Sequence, residues 1–138
     1  MSTNSHIAVK QQDGSVLRVY CHWDGYLEWN GKILALYYNS PELAQLLVTF
    51  GDISSLDKHI SPSGNTHTFN NREPGVTVFY GRVRGEQVRH AVKFNTFEEF
   101  KRSINGEPYT YYFDGSWKHI NDNGKVQELA ELVDLTEA

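Results

Sequence analysis

Residues 20–26 read Tyr20-Cys21-His22-Trp23-Asp24-Gly25-Tyr26, gathering the chain's one cysteine with a histidine, an aspartate and three aromatic rings. Cys, His and Asp can ligate zinc, and a cysteine near a histidine can form a thiolate nucleophile. Spacing argues against both. Neighbouring side chains on a strand point to opposite faces, so Cys21 and His22 diverge if this stretch is extended. A metal would need help from His59, His67 or His119, and neither an HExxH nor a Cys-x-x-Cys pair is present. The alternation of Val19, Cys21 and Trp23 puts the thiol on an apolar face, where it is buried and inert. A hydrolase or nuclease centred on Cys21, His22 and Asp24 is the weakest of three functional readings.

Other catalytic patterns are thin. Glu98 and Glu99 fall in the first turn of an expected helix, where the dipole favours carboxylates, and Glu128 and Glu131 read as a solvated helix face. There is no GxSxG elbow, GxGxxG or GxxxxGK, so neither that type of serine nucleophile nor a phosphate cradle is signalled. The sequence nominates no catalytic residue, no metal ligand and no cofactor.

Recognition-type residues are more plentiful. One group is His22, Trp23, Asp24, Tyr26 and Trp29, just before an expected helix. The other is Arg72, Arg82, Arg84 and Arg89, around an expected central hairpin. Trp, Tyr and Arg dominate interface hot spots, and arginine beside rings suits a nucleotide or phosphate. The competing explanation makes Trp23 and Tyr26 core rings and the arginines edge protection. The binding residues are therefore read as His22, Asp24, Tyr26, Trp29, Arg72, Arg82, Arg84 and Arg89. Alternation assigns Trp23 to the buried side with Cys21.

The elements that must position these residues follow from local chemistry. Residues 6–11 and 15–23 alternate around Asp13-Gly14, a hairpin signal, because Asp-Gly tolerates the positive φ of a type I′ turn. A second Asp-Gly, at 24–25, ends the second strand. Residues 31–39 have helical spacing. In 40–51, Ser40 caps, Pro41 opens and Gly51 stops a helix whose apolar stripe is Leu43, Leu46, Leu47 and Phe50. Residues 52–60 read as a short turn or 3₁₀ segment, and 61–75, rich in Ser, Gly, Asn and Pro, as a long surface loop. Strands at 76–83 and 87–94 join at 84–86. Thr96 and Glu99 fit a capping box for a helix over 96–104. Strands at 109–113 and 117–121 flank a third Asp-Gly, at 114–115, and 125–135 has a helical apolar face. The expected fold is α+β: an antiparallel sheet of about six strands in hairpins with three helices packed on it.

The 138 residues are expected to form a single globular domain, residues 1–138, long enough for a core without disulfides or metal. With 39% hydrophobic and 22% charged residues the composition is that of an ordinary soluble fold. A formal charge of −4 argues against nucleic acid and weakly favours a protein or small-ligand partner. A lone cysteine excludes an internal disulfide, the first ten residues lack an apolar signal region, and no apolar run approaches a membrane span. A reducing cytoplasm is the expected setting.

Four stretches carry a resemblance over almost the whole chain. They are "HIAVKQQDGSVLRVYCHWDGYLEWNGKIL", "YYNSPELAQLLVTFGDISSL", "PGVTVFYGRVRGE" and "YTYYFDGSWKH", in that order. With its "YCHWDGY" followed by a helix and "GDISSL", the chain resembles a family of small tailed-bacteriophage and prophage proteins. The family often carries a Pro and extra Gly after the second tyrosine, roughly "GYPEGVG", where this chain has Leu27-Glu28-Trp29-Asn30-Gly31. The resemblance implies a phage accessory protein in the host cytoplasm. It implies no reaction, because no catalytic residues are established for the family. The leading expectation is stoichiometric binding to a host protein, including an anti-defence role of the anti-CRISPR kind. The second is a small-ligand binder such as a nucleotide-signal sponge. A homodimer is left open, and no membrane partner is expected.

Overall fold

The computed structural model describes residues 3–60, 75–80, 90–104 and 106–136. Its frame is a mixed sheet. β1, Ser5–Lys10, turns at Asp13-Gly14 into β2, Val16–Cys21, and the two pair antiparallel with Ile7 opposite Val19. The hairpin forms at Asp13-Gly14, but not as a type I′ turn: only Gly14 takes a positive φ, +88°, Gly14 N donates to Gln11 O at 3.0 Å, and the Asp13 carboxylate accepts from the Ser15 backbone at 2.9 Å.

The sheet departs from a stack of hairpins at its centre. β6, Thr110–Phe113, runs parallel to β1, with Ile7 opposite Tyr111. β3, Ile53–Ser55, runs parallel to β2 at Cys21. β4, Val78–Phe79, pairs with β3, while β5, Val92–Phe94, pairs with β2 at Val16–Arg18. β7, Trp117–Ile120, returns beside β6, and β8, Val126–Glu128, closes the far edge. The order is β4-β3-β2-β1-β6-β7-β8, with β5 sharing the outer edge of β2. The α+β class therefore stands, but the sheet is mixed, with eight strands among the described residues, rather than antiparallel with about six.

Both faces of the sheet are covered, and this explains the sequence pattern. Ile7, Val9, Val19, Cys21, Tyr111, Phe113 and Trp117 form one core with Ile33 and Leu34 of α1, Lys32–Tyr37, and Leu47 and Val48 of α2, Pro41–Thr49. Ala8, Val16, Tyr112 and Ile120 form the other with Phe100 of α3, Phe97–Ser103. Central strands buried on both faces lose their alternation, as the four consecutive buried residues of β6 do.

The helix starts are as expected. Ser40 Oγ accepts from Leu43 N at 3.2 Å behind Pro41, and Thr96 Oγ1 accepts from Glu99 N at 3.2 Å. The Glu99 carboxylate reaches back to Asn95 N, one residue earlier than in a standard capping box. The stripe of α2 is rotated: Ala44, Leu47 and Val48 are buried, while Leu43 and Leu46 face outward.

Other expectations are corrected by tertiary pairing. Residues 52–60 contain β3, because Ile53 finds long-range partners on β2 and β4. β4 and β5 pair with different strands, so the described parts of 76–83 and 87–94 are not hairpin partners; the join at 84–86 and all but Gly75 of the expected loop 61–75 lie outside the described residues. Residues 125–135 hold β8 and a single 3₁₀ turn, Leu129–Glu131, instead of a helix. Asn121 explains this, since its side chain accepts from both Asn123 N and Lys125 N at 2.9 Å, turning the chain back along β7. Asn121→Ala leaves both amides without that acceptor. It is expected to cost about 1–2 kcal/mol, read as a lower urea midpoint at unchanged slope.

Candidate functional site

β2 ends at Cys21, two residues earlier than its alternation indicates. The backbone still runs beside β3, with His22 N donating to Ile53 O and Trp23 N to Ser54 O at 3.0 and 3.1 Å. Asp24 then takes φ +57°, a left-handed conformation uncommon outside glycine. Gly25 serves a different need. A Cβ built there meets Asn4 O at 2.5 Å, and Gly25 N donates to Thr3 O at 2.8 Å, so the corner lies directly on the chain entering β1. The Tyr111 hydroxyl completes the clamp by donating to Gly25 O at 2.7 Å. Beyond the corner a short π-helix, Leu27–Gly31, leads into α1.

This geometry sorts the residues of the signature. Cys21 is fully buried beside Asn30, whose amide donates to Cys21 Sγ at 3.3 Å and to Ser5 Oγ at 3.0 Å. Burial pushes the thiol from 9.0 up to about 11. His22 faces the other side, where its Nδ1 lies 2.7 Å from the Tyr20 hydroxyl. The predicted divergence of Cys21 and His22 is thus observed. The distant histidines are engaged elsewhere: His119 is buried with Nε2 3.1 Å from Pro108 O, His59 lies against Tyr37, and His67 is outside the described residues. Among the described residues no three His, Cys, Asp or Glu side chains gather to hold a metal ion.

Trp23 is the main correction. It is 42% exposed rather than buried with Cys21, because the strand has ended and the Asp24 corner turns the ring outward. It is not loose: the His22 ring meets it edge-on at 4.7 Å and 83°. Tyr20 and His6 continue this row of rings across β2 and β1, with centroids 5.9 and 6.2 Å apart from their neighbours. The sequence signal for Tyr20 was present, since residues two apart on a strand share a face.

The remaining binding residues divide. The Tyr26 hydroxyl donates to Asp24 Oδ1 at 3.2 Å, and the carboxylate beside it pushes the phenol up. Trp29 packs on the main core, and its Nε1 donates to Leu56 O at 3.0 Å, which makes it an anchor. His22, Asp24 and Tyr26 thus gather with Trp23 at one corner, with Trp29 behind them. Arg72, Arg82, Arg84 and Arg89 lie outside the described residues.

No family model matches the chain, and no solved structure matches it. The chain is similar to a Zealexin A1 synthase of Zea mays, 32% identical over 95 residues that make up 67% of this chain and 18% of that protein. The chain spans less than a fifth of the length of that curated relative, so the likeness assigns it no activity and no site residue.

The thiol gives a test of this geometry. Between pH 9 and 11 the unfolded chain has lost a proton that the folded chain keeps. Stability therefore falls as pH rises from about 9 and this contribution levels off above about 11, after a loss of about 2–3 kcal/mol. Tyr38, Tyr111 and Tyr112, whose hydroxyls burial also pushes up, lower stability as pH rises in both the parent protein and Cys21→Ala. The thiol's share is therefore expected as a shallower fall in urea-unfolding stability for Cys21→Ala, beginning near pH 9. Identical profiles for the two proteins would contradict a buried, neutral thiol.

Proposed function

We propose that the chain is a phage accessory protein that acts in the host cytoplasm by stoichiometric binding to a host protein, with inhibition of a defence enzyme as its role. The observation that carries this reading is Trp23. A large ring 42% exposed, buttressed by His22 and seated on a backbone corner fixed by Gly25, has the makings of an interface anchor. A rigid exposed aromatic loses little conformational freedom on binding, so more of its buried area appears as affinity. The resemblance in "YCHWDGY" supports the phage setting, and no helix among the described residues is long and apolar enough to cross a membrane.

The nucleotide-signal sponge needs arginines beside rings. The arginines proposed for it lie outside the described residues, and no described geometry favours it over protein binding.

Affinity capture from lysates of growing and phage-infected host cells tests the proposal. A specific host protein is expected to be retained in stoichiometric amount. Trp23→Ala should weaken its affinity by at least about 30-fold, the effect of removing a hot-spot residue. Lys101→Ala, at an exposed position of α3, should leave affinity unchanged. Retention of nothing above background under any condition would sink the proposal. A positive thermal shift with cyclic oligonucleotides in that case would favour the sponge.

A further inference from the structure

A concavity of about 920 Å³ lies at the opposite end of β2 from Trp23, and the signature residues take no part in it. Its floor is apolar and comes from three adjacent strands: Leu17 of β2, Val9 of β1 and Phe113 of β6. The first turn of α2 forms one wall and the β1–β2 turn the other. The volume is within the range of small-molecule and short-peptide sites.

The polar groups around this floor have a particular chemistry. Gln11 on the turn and Gln45 on α2 face each other through two reciprocal amide hydrogen bonds, both 3.1 Å. A primary amide offers a donor and an acceptor side by side, as a peptide group does, so an entering peptide can exchange these bonds one for one. Lys10 with Asp114 and Lys93 with Asp13 form ion pairs at 3.6 and 3.9 Å, all four side chains about half exposed. Such pairs are weak and re-form easily with a ligand's charges. With Glu42 added, the described residues of the rim carry three carboxylates against two ammonium groups, a balance that disfavours phosphates and favours a cation. The floor lies across strands in the interior of the sheet order, so recognition falls to side chains and not to addition of a strand at an edge.

From the apolar floor, the paired amides and the acidic balance of the rim, we propose that this cleft binds a short extended peptide whose apolar side chain is flanked by basic residues. The site is separate from the Trp23 corner and does not rest on it.

Titration of the ¹⁵N-labelled full chain with two blocked pentapeptides, Ac-Lys-Gly-Leu-Gly-Lys-NH₂ and Ac-Asp-Gly-Leu-Gly-Asp-NH₂, tests this directly. The lysine peptide is expected to shift the amides of Gln11, Ser15, Gln45 and Asp114 saturably. It should bind about tenfold more tightly than the aspartate peptide, a difference of the size that one favourable charge contact produces. Gln45→Ala and Leu17→Ala should each weaken it several-fold, with Trp23→Ala without effect. The proposal is overturned by equal affinity of the two peptides, by the absence of saturable shifts, or by shifts that map away from the cleft. It is also overturned if a cyclic dinucleotide moves the cleft amides at lower concentration than either peptide.

Discussion

The Tyr111 hydroxyl, buried at the centre of the sheet, donates to the carbonyl of Gly25 across 86 residues of sequence. That contact is reachable because Gly25 has no side chain: its backbone lies against Asn4, where a Cβ would meet the carbonyl oxygen at 2.5 Å. The rest of the corner depends on this approach. Burial pushes the Tyr111 hydroxyl pKa well up, so it remains a neutral donor throughout the physiological range. The parallel pairing of β1 with β6 places Tyr111 beside Ile7, and the antiparallel pairing of β1 with β2 places Ser5 beside Cys21. The corner is thus tied to three strands by backbone and side-chain contacts rather than resting on its own turn.

From this constraint comes a division of chemistry among adjacent residues. Cys21 and Asn30 turn inward and hold the corner to β1, while His22 and Trp23 turn outward and form an edge-on pair on its surface. Asn30 is fully buried with its amide donating to both Ser5 and Cys21. A cysteine held in this way is a small core residue, and its raised pKa follows from burial rather than from catalytic tuning. The exposed ring is then a consequence of how the chain leaves the strand, with its position set by backbone bonds to β3.

Much of the local structure was legible in the sequence, because its causes are local. Ser40 and Thr96 cap helices through their own side chains, and Asp13-Gly14 and Asp114-Gly115 turn hairpins through their own backbone preferences. The opposition of Cys21 and His22 followed from strand geometry alone. What was not legible depended on distant partners. Ile53 is extended because it meets Cys21 and Phe79, and Val126 because it meets Ile120. A helical pattern over 125–135 carries no information about β7. The parallel β1–β6 pair was hidden because full burial of "TYYF" removes the alternation that would identify its facing. Trp23 was misread for a smaller reason: alternation was extended two residues past the end of β2. Asp24-Gly25 was recognised as a strand end, but its two residues have separate causes, a left-handed φ at Asp24 and a close approach at Gly25.

The most direct measurement of the central claim is the stability and near-ultraviolet circular dichroism of Gly25→Ala. If the corner is held by backbone contact with Asn4 and by the Tyr111 hydroxyl, the added methyl must push it away. The account predicts a loss of about 1–3 kcal/mol in urea unfolding together with an altered aromatic signal from the Trp23–His22 pair. Unchanged stability and an unchanged aromatic spectrum would contradict it.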